Sequence, residues 1–420
     1  MIRPRLSACL CRRRPVLAGY LAMLLVPMLG GATPVRAQTL TVLYRFHGGR
    51  DGASPNSRLV LDDAGNLYGT ARDRGAYNFG TVFKLDANGK LTTLHAFNGI
   101  DGLWPSGDLI RDKKGNLYGT TAFGATPEGG KCRHGCGTLF KIDSSGKHRI
   151  LHIFSGDADG GGPAQRLIRD DERNFYGVAY RGGNRNCGIY RRGCGVIFRI
   201  DATGTESVLY TFGQAADGGN GVGDLIRDKV GNIFGTTNRG GDYTWGSVFK
   251  LDPEGTWTTL YSFTGFADGN APTSGLIRDE NGRFYGSTQF GGDPTCGFYL
   301  NGCGVIFKLD SANSETVLYT FTGDPNQGEP FGALLRDASG NLYGTSYPGA
   351  VCDPHCGNVF KLDPSGNKTI LHEFNNPSKG LWLGHLTRDK AGNLYGTTWS
   401  GGRKNDSCYY GCGVIFKIVP

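Results

Sequence analysis

Short apolar runs alternate with polar, glycine-containing turns along most of the chain, and one run keeps returning. Gly65-Asn66-Leu67-Tyr68-Gly69-Thr70 has counterparts beginning at Gly115, Arg173, Gly231, Gly282, Gly340 and Gly392, spaced 50 to 58 residues apart. Each is followed, after a variable gap, by a second strand-like run, at residues 82–86, 139–143, 197–201, 248–252, 306–310, 359–363 and 415–418. The chain is therefore seven copies of one small β unit. In the second copy, residues 109–112 predict a short strand, 113–115 a turn, 116–121 a second strand, 138–143 a third and 149–154 a fourth. The unit is a four-stranded antiparallel meander, its strands called a to d in chain order.

One such sheet cannot bury both apolar faces alone, so its Leu, Ile, Phe and Tyr must pack on neighbouring copies. Seven sheets arranged radially achieve this. The ends of the chain support a closed ring. Residues 40–46 match strand d of other copies (compare 208–212 and 317–321), and the chain stops at Pro420 just after a strand c. The fold expected is all-β, a seven-bladed β-propeller spanning residues 38–420, in which the N-terminal strand completes the last blade and removes both open edges.

The run at 65–70, the Gly80–Asp86 run GTVFKLD, a TVLYxF-type strand, a DG-containing loop and the next L-x-x-D together resemble the GloVer tandem-repeat family, exported bacterial chains with a varying C-terminal anchor. The resemblance covers roughly residues 40–420. It implies a repeat architecture and export, and it assigns no activity or catalytic residue. This chain ends on a strand, without a sorting tail, which points to a protein free in the periplasm or medium.

Composition refines this picture. Seventy glycines and 11% aromatic residues suit many short strands and tight turns. The first segment reads as a secretory signal: Arg12-Arg13-Arg14, an apolar run from Val16 to Leu29, then Val35-Arg36-Ala37, with the mature chain expected to begin at Gln38. The run falls short of the about 20 residues of a spanning helix, so no membrane anchor is expected after cleavage. The leader holds six of the 45 basic residues and no acid, leaving 39 against 37 acidic ones. Near-neutral charge removes the case for nucleic acid as partner. A monomer is expected.

Ten cysteines follow the leader as five close pairs: Cys132/Cys136, Cys187/Cys194, Cys296/Cys303, Cys352/Cys356 and Cys408/Cys412. In an exported chain they read as disulfides, with zinc held by cysteines of two adjacent loops as the competing reading. Blades 1 and 4 lack cysteines and carry Phe79 and Trp245 before the recurring glycine, rings able to fill by packing the place a disulfide takes elsewhere.

A residue present in every blade is expected to build the blade. On that ground Asp62, Asp112, Asp170, Asp228, Asp279, Asp337 and Asp389 read as turn-forming side chains. Arg111, Arg169, Arg227, Arg278, Arg336 and Arg388, with Leu61 in their place in blade 1, read as partners of neighbouring carboxylates, the alternative being a ring around an anion channel. His95, His152 and His372 stand where other blades have tyrosine and read as packed aromatics. The aspartates before glycine (Asp51, Asp101, Asp159, Asp217 and Asp268) read as turn formers. Asp157-Ala158-Asp159-Gly160 lacks the third acid and distant Glu of a calcium loop.

Variable residues are the better functional candidates. The a–b and c–d turns share one face of a propeller and are uniform; the b–c and d–a loops share the other and vary. On that long-loop face stand Arg181, Arg185, Tyr190, Arg191 and Arg192 in blade 3, Tyr299 in blade 5, and Trp399, Arg403, Lys404, Tyr409 and Tyr410 in blade 7. Rings beside guanidinium groups suit sugars and their acidic substituents. There is no nucleophile elbow, metal-ligand cluster or phosphate loop. The function expected is thus a non-catalytic binding module for a polysaccharide or envelope component, needing no metal or cofactor. The alternatives are a lyase or hydrolase of an acidic glycan on the same face and a protein-interaction scaffold.

Overall fold

The structure, a computed structural model, describes residues 38–126, 132–163, 165–184, 186, 193–213, 217–218, 223–272, 274–296, 301–322, 328–347, 357–406 and 408–420. Seven antiparallel sheets follow one another along the chain, each ordered a-b-c-d. In blade 2 the strands are Ile110–Arg111, Leu117–Thr121, Thr138–Ile142 and His148–Ile153. The last blade takes its strand d from the other end of the chain: Thr39–Arg45 pairs with Val414–Val419, from Thr39 opposite Val419 to Arg45 opposite Val414. Seven apolar clusters sit at the seven seams. The one joining Phe46, Cys412 and Ile415 to Leu59, Leu67 and Phe83 closes the ring. The propeller is shut by burial as well as by hydrogen bonds.

The recurring run is explained residue by residue. Gly65 turns the chain at φ +80, and its counterparts have φ between 71 and 101, Arg173 being the one non-glycine among them. Asp62 accepts the backbone N–H groups of Ala64 at 3.1 Å and Asn66 at 2.9 Å, while its other oxygen takes the Asn66 side chain at 2.9 Å and the Tyr68 hydroxyl at 3.0 Å. Burial opposes ionisation of Asp62, but Asn66, Tyr68 and Arg111 together hold its carboxyl below the usual range. The second glycine has a different task. A Cβ at Gly69 would lie 2.7 Å from Cζ of Phe83, and at Gly286 2.6 Å from Cζ of Phe307. The strand must be bare there for the strand-c phenylalanine to cross it.

Strand d departs from simple alternation in the same way in every blade. Its pairing with strand c skips one leucine: Leu43, Leu94, Leu151, Leu209, Leu260, Leu318 or Leu371. This β-bulge re-aims the leucine into a seam cluster. It also presents the next residue, Tyr or His, to the following loop.

The arginines of strand a are committed to the seams. Arg111, Arg169, Arg227, Arg278, Arg336 and Arg388 each lie 4.9–5.5 Å over the strand-b aromatic ring of the preceding blade. Arg111 also faces Asp62 at 3.8 Å, and Arg278 faces Asp228 at 3.5 Å. Their expected pairing with neighbouring carboxylates thus takes the form of a clasp between blades.

Disulfides Cys132–Cys136, Cys296–Cys303 and Cys408–Cys412 form as paired in the sequence, and Cys194 is also disulfide-bonded. Cys187, Cys352 and Cys356 lie outside the described residues. A Cβ at Gly156 would meet the sulfurs of Cys132 and Cys136 at 2.5 and 2.6 Å; at Gly99 it would meet Phe79 at 3.4 Å, and at Gly265 Trp245 at 2.5 Å. Ring and disulfide cap the same loop glycine in different blades.

Candidate functional site in the central channel

Two residues before strand a in blades 1 to 5, and within it in blades 6 and 7, stands one position that varies between blades, directly before the invariant leucine of x-L-x-x-D. Around the ring it holds Arg58, Asp108, Arg166, Asp224, Gly275, Ala333 and His385. Strand a is the first strand of each sheet, and six of these residues line cavities in the channel that the sheets surround, with His385 standing beside Ala333. A cavity of about 860 Å³ is lined by Arg58, Arg166, Asp224, Gly275 and Ala333 and continues to the a–b turn residues Asp228, Asp279 and Glu280. A second, of about 450 Å³, adds Asp108 and shares Arg58, Arg166, Leu335 and Arg336 with the first. The sequence reading placed the site on the long-loop face, whereas the larger cavity runs from mid-channel to the face of the short turns.

Charges of both signs meet in this space. Asp108 is 6% exposed; its Oδ1 accepts the Arg58 backbone N–H at 2.7 Å, and its Oδ2 stands 3.6 Å from Arg58 Nε. Burial opposes ionisation of Asp108, but His385, Arg58 and Arg166 hold its carboxyl below the usual range. Asp224 repeats the arrangement across the channel, accepting the Arg166 backbone N–H at 3.2 Å. The Ala333 backbone N–H lies 3.3 Å from His385 Nδ1, which places the imidazole proton of the neutral ring on Nε2. In this cluster four buried atoms have no hydrogen-bond partner: Arg58 Nε and Nη2, Asp108 Oδ2 and Asp224 Oδ2. Buried polar groups are normally satisfied, so unpaired donors and acceptors in a cavity mark groups available to a ligand or reacting molecule.

The sequence candidates lie on the other face. Trp399, Tyr409 and Tyr410 line one groove of about 390 Å³ together with Trp382, Asp73, Arg74 and Asn78. Arg72 stands over both Trp104 (4.5 Å) and Trp399 (5.2 Å), Trp399 meets Trp382 edge-on at 5.6 Å, and Trp104 meets Phe123 at 5.2 Å. Arg181 ends this run of rings and guanidinium groups, 4.7 Å over Phe123. Trp104 and Trp382 both have φ of 55°, a left-handed conformation that disfavours bulky residues. Arg403 and Lys404 are exposed and join no ring stack in this run. Arg185, Tyr190, Arg191, Arg192 and Tyr299 lie outside the described residues.

The recurring aspartates and the strand-d aromatics prove to be partners. Tyr44 donates to Asp51 at 3.0 Å, Tyr210 to Asp217 at 3.0 Å and Tyr261 to Asp268 at 2.9 Å, while His95 Nε2 meets Asp101 at 2.8 Å. The histidines pack as expected, His95, His152 and His372 lying edge-on to Phe97, Phe154 and Phe374 at 4.7–4.9 Å.

The Gloeobacter/Verrucomicrobia repeat matches residues 32–191 and 299–420. No curated protein matches the sequence. Among solved structures, a 6-phosphogluconolactonase, described as putative, from Bacteroides uniformis shares 15% identity over 84% of this chain and 98% of its own, with a TM-score of 0.50. PorZ, a surface component of the type-IX secretion system of Porphyromonas gingivalis, shares 14% identity over 86% of this chain and 46% of its own, also with a TM-score of 0.50. XC5397, a gluconolactonase of Xanthomonas campestris, shares 15% identity over 87% of this chain and 98% of its own, with a TM-score of 0.42. At such identity the likeness establishes the propeller fold. The expectation of a non-catalytic binding module on the long-loop face is corrected here: the solved propellers that share the fold include one described as a putative 6-phosphogluconolactonase, and the buried charges of this chain gather in the channel. The disulfides accord with an exported chain.

Proposed function

Since this chain belongs to the Gloeobacter/Verrucomicrobia repeat family and carries a buried charge cluster in its channel, we propose that it is a hydrolase-type enzyme. Its substrate is an anionic, sugar-derived ester or lactone that enters the central channel. The observation that carries the reading is the set of unpaired buried atoms on Arg58, Asp108 and Asp224. Guanidinium donors without partners suit a carboxylate or phosphate of the substrate, or the oxyanion that forms when a carbonyl is attacked. The unpaired Asp224 oxygen faces the same cavity and suits a water molecule, whose proton it accepts as the water oxygen bonds to the carbonyl carbon. The proton that Asp224 takes from the water would then pass to the leaving oxygen as the ester bond breaks, so that the carboxyl acts first as base and then as acid. The name of one similar propeller, a 6-phosphogluconolactonase described as putative, agrees with this chemistry. The enzyme would act after export, in the periplasm or medium, with its first 37 residues removed.

The test incubates residues 38–420 with aldonolactones, sugar-phosphate lactones and acidic polysaccharides, following acid release by pH-stat and products by mass spectrometry. Turnover is expected with a lactone or ester. Arg58→Gln should lower kcat by roughly 10²–10³, the usual effect of losing one oxyanion donor, and Asp224→Asn should do at least as much. Absence of products from every substrate, or variants as active as the parent, would overturn the reading.

A further inference from the structure

The seam between blades 2 and 3, on the outside of the ring and apart from the channel, holds a second cluster. His152 lies on the outer strand His148–Ile153, Asp159 in the loop that follows, and Glu206 begins the outer strand Glu206–Thr211 of the next blade. His152 Nε2 is 3.9 Å from Asp159 Oδ2 and 3.8 Å from Glu206 Oε2, and the three ligand atoms all lie within 4.8 Å of one another. These separations are too long for hydrogen bonds. His152 Nε2 and Glu206 Oε1 are buried without a hydrogen-bond partner, and the Glu206 side chain is only 9% exposed.

The other blades show what is unusual here. Where tyrosine takes the place of His152, its hydroxyl bridges directly to the aspartate, as Tyr44, Tyr210 and Tyr261 do. At the seam of blades 1 and 2, His95 closes on Asp101 at 2.8 Å. At the seam of blades 2 and 3, Glu206 stands opposite His152, whose Nε2 hydrogen-bonds to neither carboxylate. Asp159 is meanwhile fixed by Ser155, which donates its backbone N–H at 2.7 Å and its hydroxyl. We propose that His152, Asp159 and Glu206 bind a divalent transition-metal ion. One imidazole and two carboxylates are a donor set for zinc or manganese. Two bonds of about 2.1 Å meeting at a tetrahedral angle set their donor atoms roughly 3.4 Å apart, so the two histidine–carboxylate separations need to contract by only about half an ångström, and the two carboxylate atoms, within 4.8 Å of each other, by at most about 1.4 Å. An ion there would tie the outer strands of two blades together. A loop motif cannot reveal such a site, because two of its three ligands come from strands of different blades.

The test measures metal content and affinity of the full chain after chelator treatment and reloading with zinc or with manganese. Isothermal titration and the absorption spectrum of a cobalt-loaded sample report the ligand set. One equivalent is expected at this seam, accompanied by a rise in Tm. His152→Gln and Glu206→Gln should each weaken binding by at least roughly tenfold, since even outer-shell partners of metal ligands have effects of that size. His148→Gln, at the other seam, should leave that equivalent in place. No bound metal, or metal retained in both His152→Gln and Glu206→Gln, or lost in His148→Gln, would overturn the proposal. Circular dichroism of each variant separates loss of a ligand from loss of fold.

Discussion

Removing the Asp108 carboxylate is the sharpest perturbation of the channel. Asp108→Ala strips the Arg58 backbone N–H of an acceptor at 2.7 Å and leaves the Arg58 guanidinium, already without hydrogen bonds at Nε and Nη2, with no facing charge at 3.6 Å. An unsatisfied buried donor costs about 1–3 kcal/mol, and breaking a buried ion pair from one side costs about 3–5 kcal/mol in all. We therefore expect Asp108→Ala to lose about 4 kcal/mol and Asp108→Asn, which keeps the Oδ1 acceptor, about 2 kcal/mol. The double variant Asp108→Ala/Arg58→Ala should lose less than the sum of its single changes, because no charge is then stranded. Urea unfolding followed by tryptophan fluorescence gives each value from midpoint and slope. If Asp108→Ala stays within about 1 kcal/mol of the parent, the guanidinium does not depend on this carboxylate and the charge cluster has been misread.

Two further outcomes are expected. Glu315 is pushed up to about 7 by burial and then by Asp268. Between its ordinary value of 4.5 and 7 the unfolded chain has released this proton while the folded chain still holds it, so the contribution of Glu315 to stability is fully present at low pH and is lost as pH rises through 7. Glu315→Gln should remove that slope, and thermal unfolding from pH 4 to 8 would show an unchanged profile if the reasoning fails. Gly286→Ala places a methyl group 2.6 Å from Phe307 and 3.2 Å from Leu276, both buried, and should cost about 1–3 kcal/mol by overpacking. A loss below about 0.5 kcal/mol in urea would show that the ring yields more easily than the packing implies.

The amino-acid sequence determined the architecture because each of its signals is local and repeated. Asp62, Asn66 and Tyr68 write one turn in neighbouring residues, and Leu67 and Phe83 write strands by their alternation. Even ring closure was legible, since residues 40–46 match a strand missing at the other end. The bulge at Leu43 and its equivalents was not, because it changes register without changing the apolar pattern. The channel cluster was also hidden. Arg58, Asp108, Arg166, Asp224 and His385 are single variable residues in five different repeats, each unremarkable in its own repeat. Only the stacking of seven inner strands around one axis turns them into neighbours. The same holds for His152 and Glu206, which stand in different blades and meet because adjacent blades pack outer strand to outer strand. Local chemistry fixed the blade, and the packing of blades decided which of their exceptions share one space.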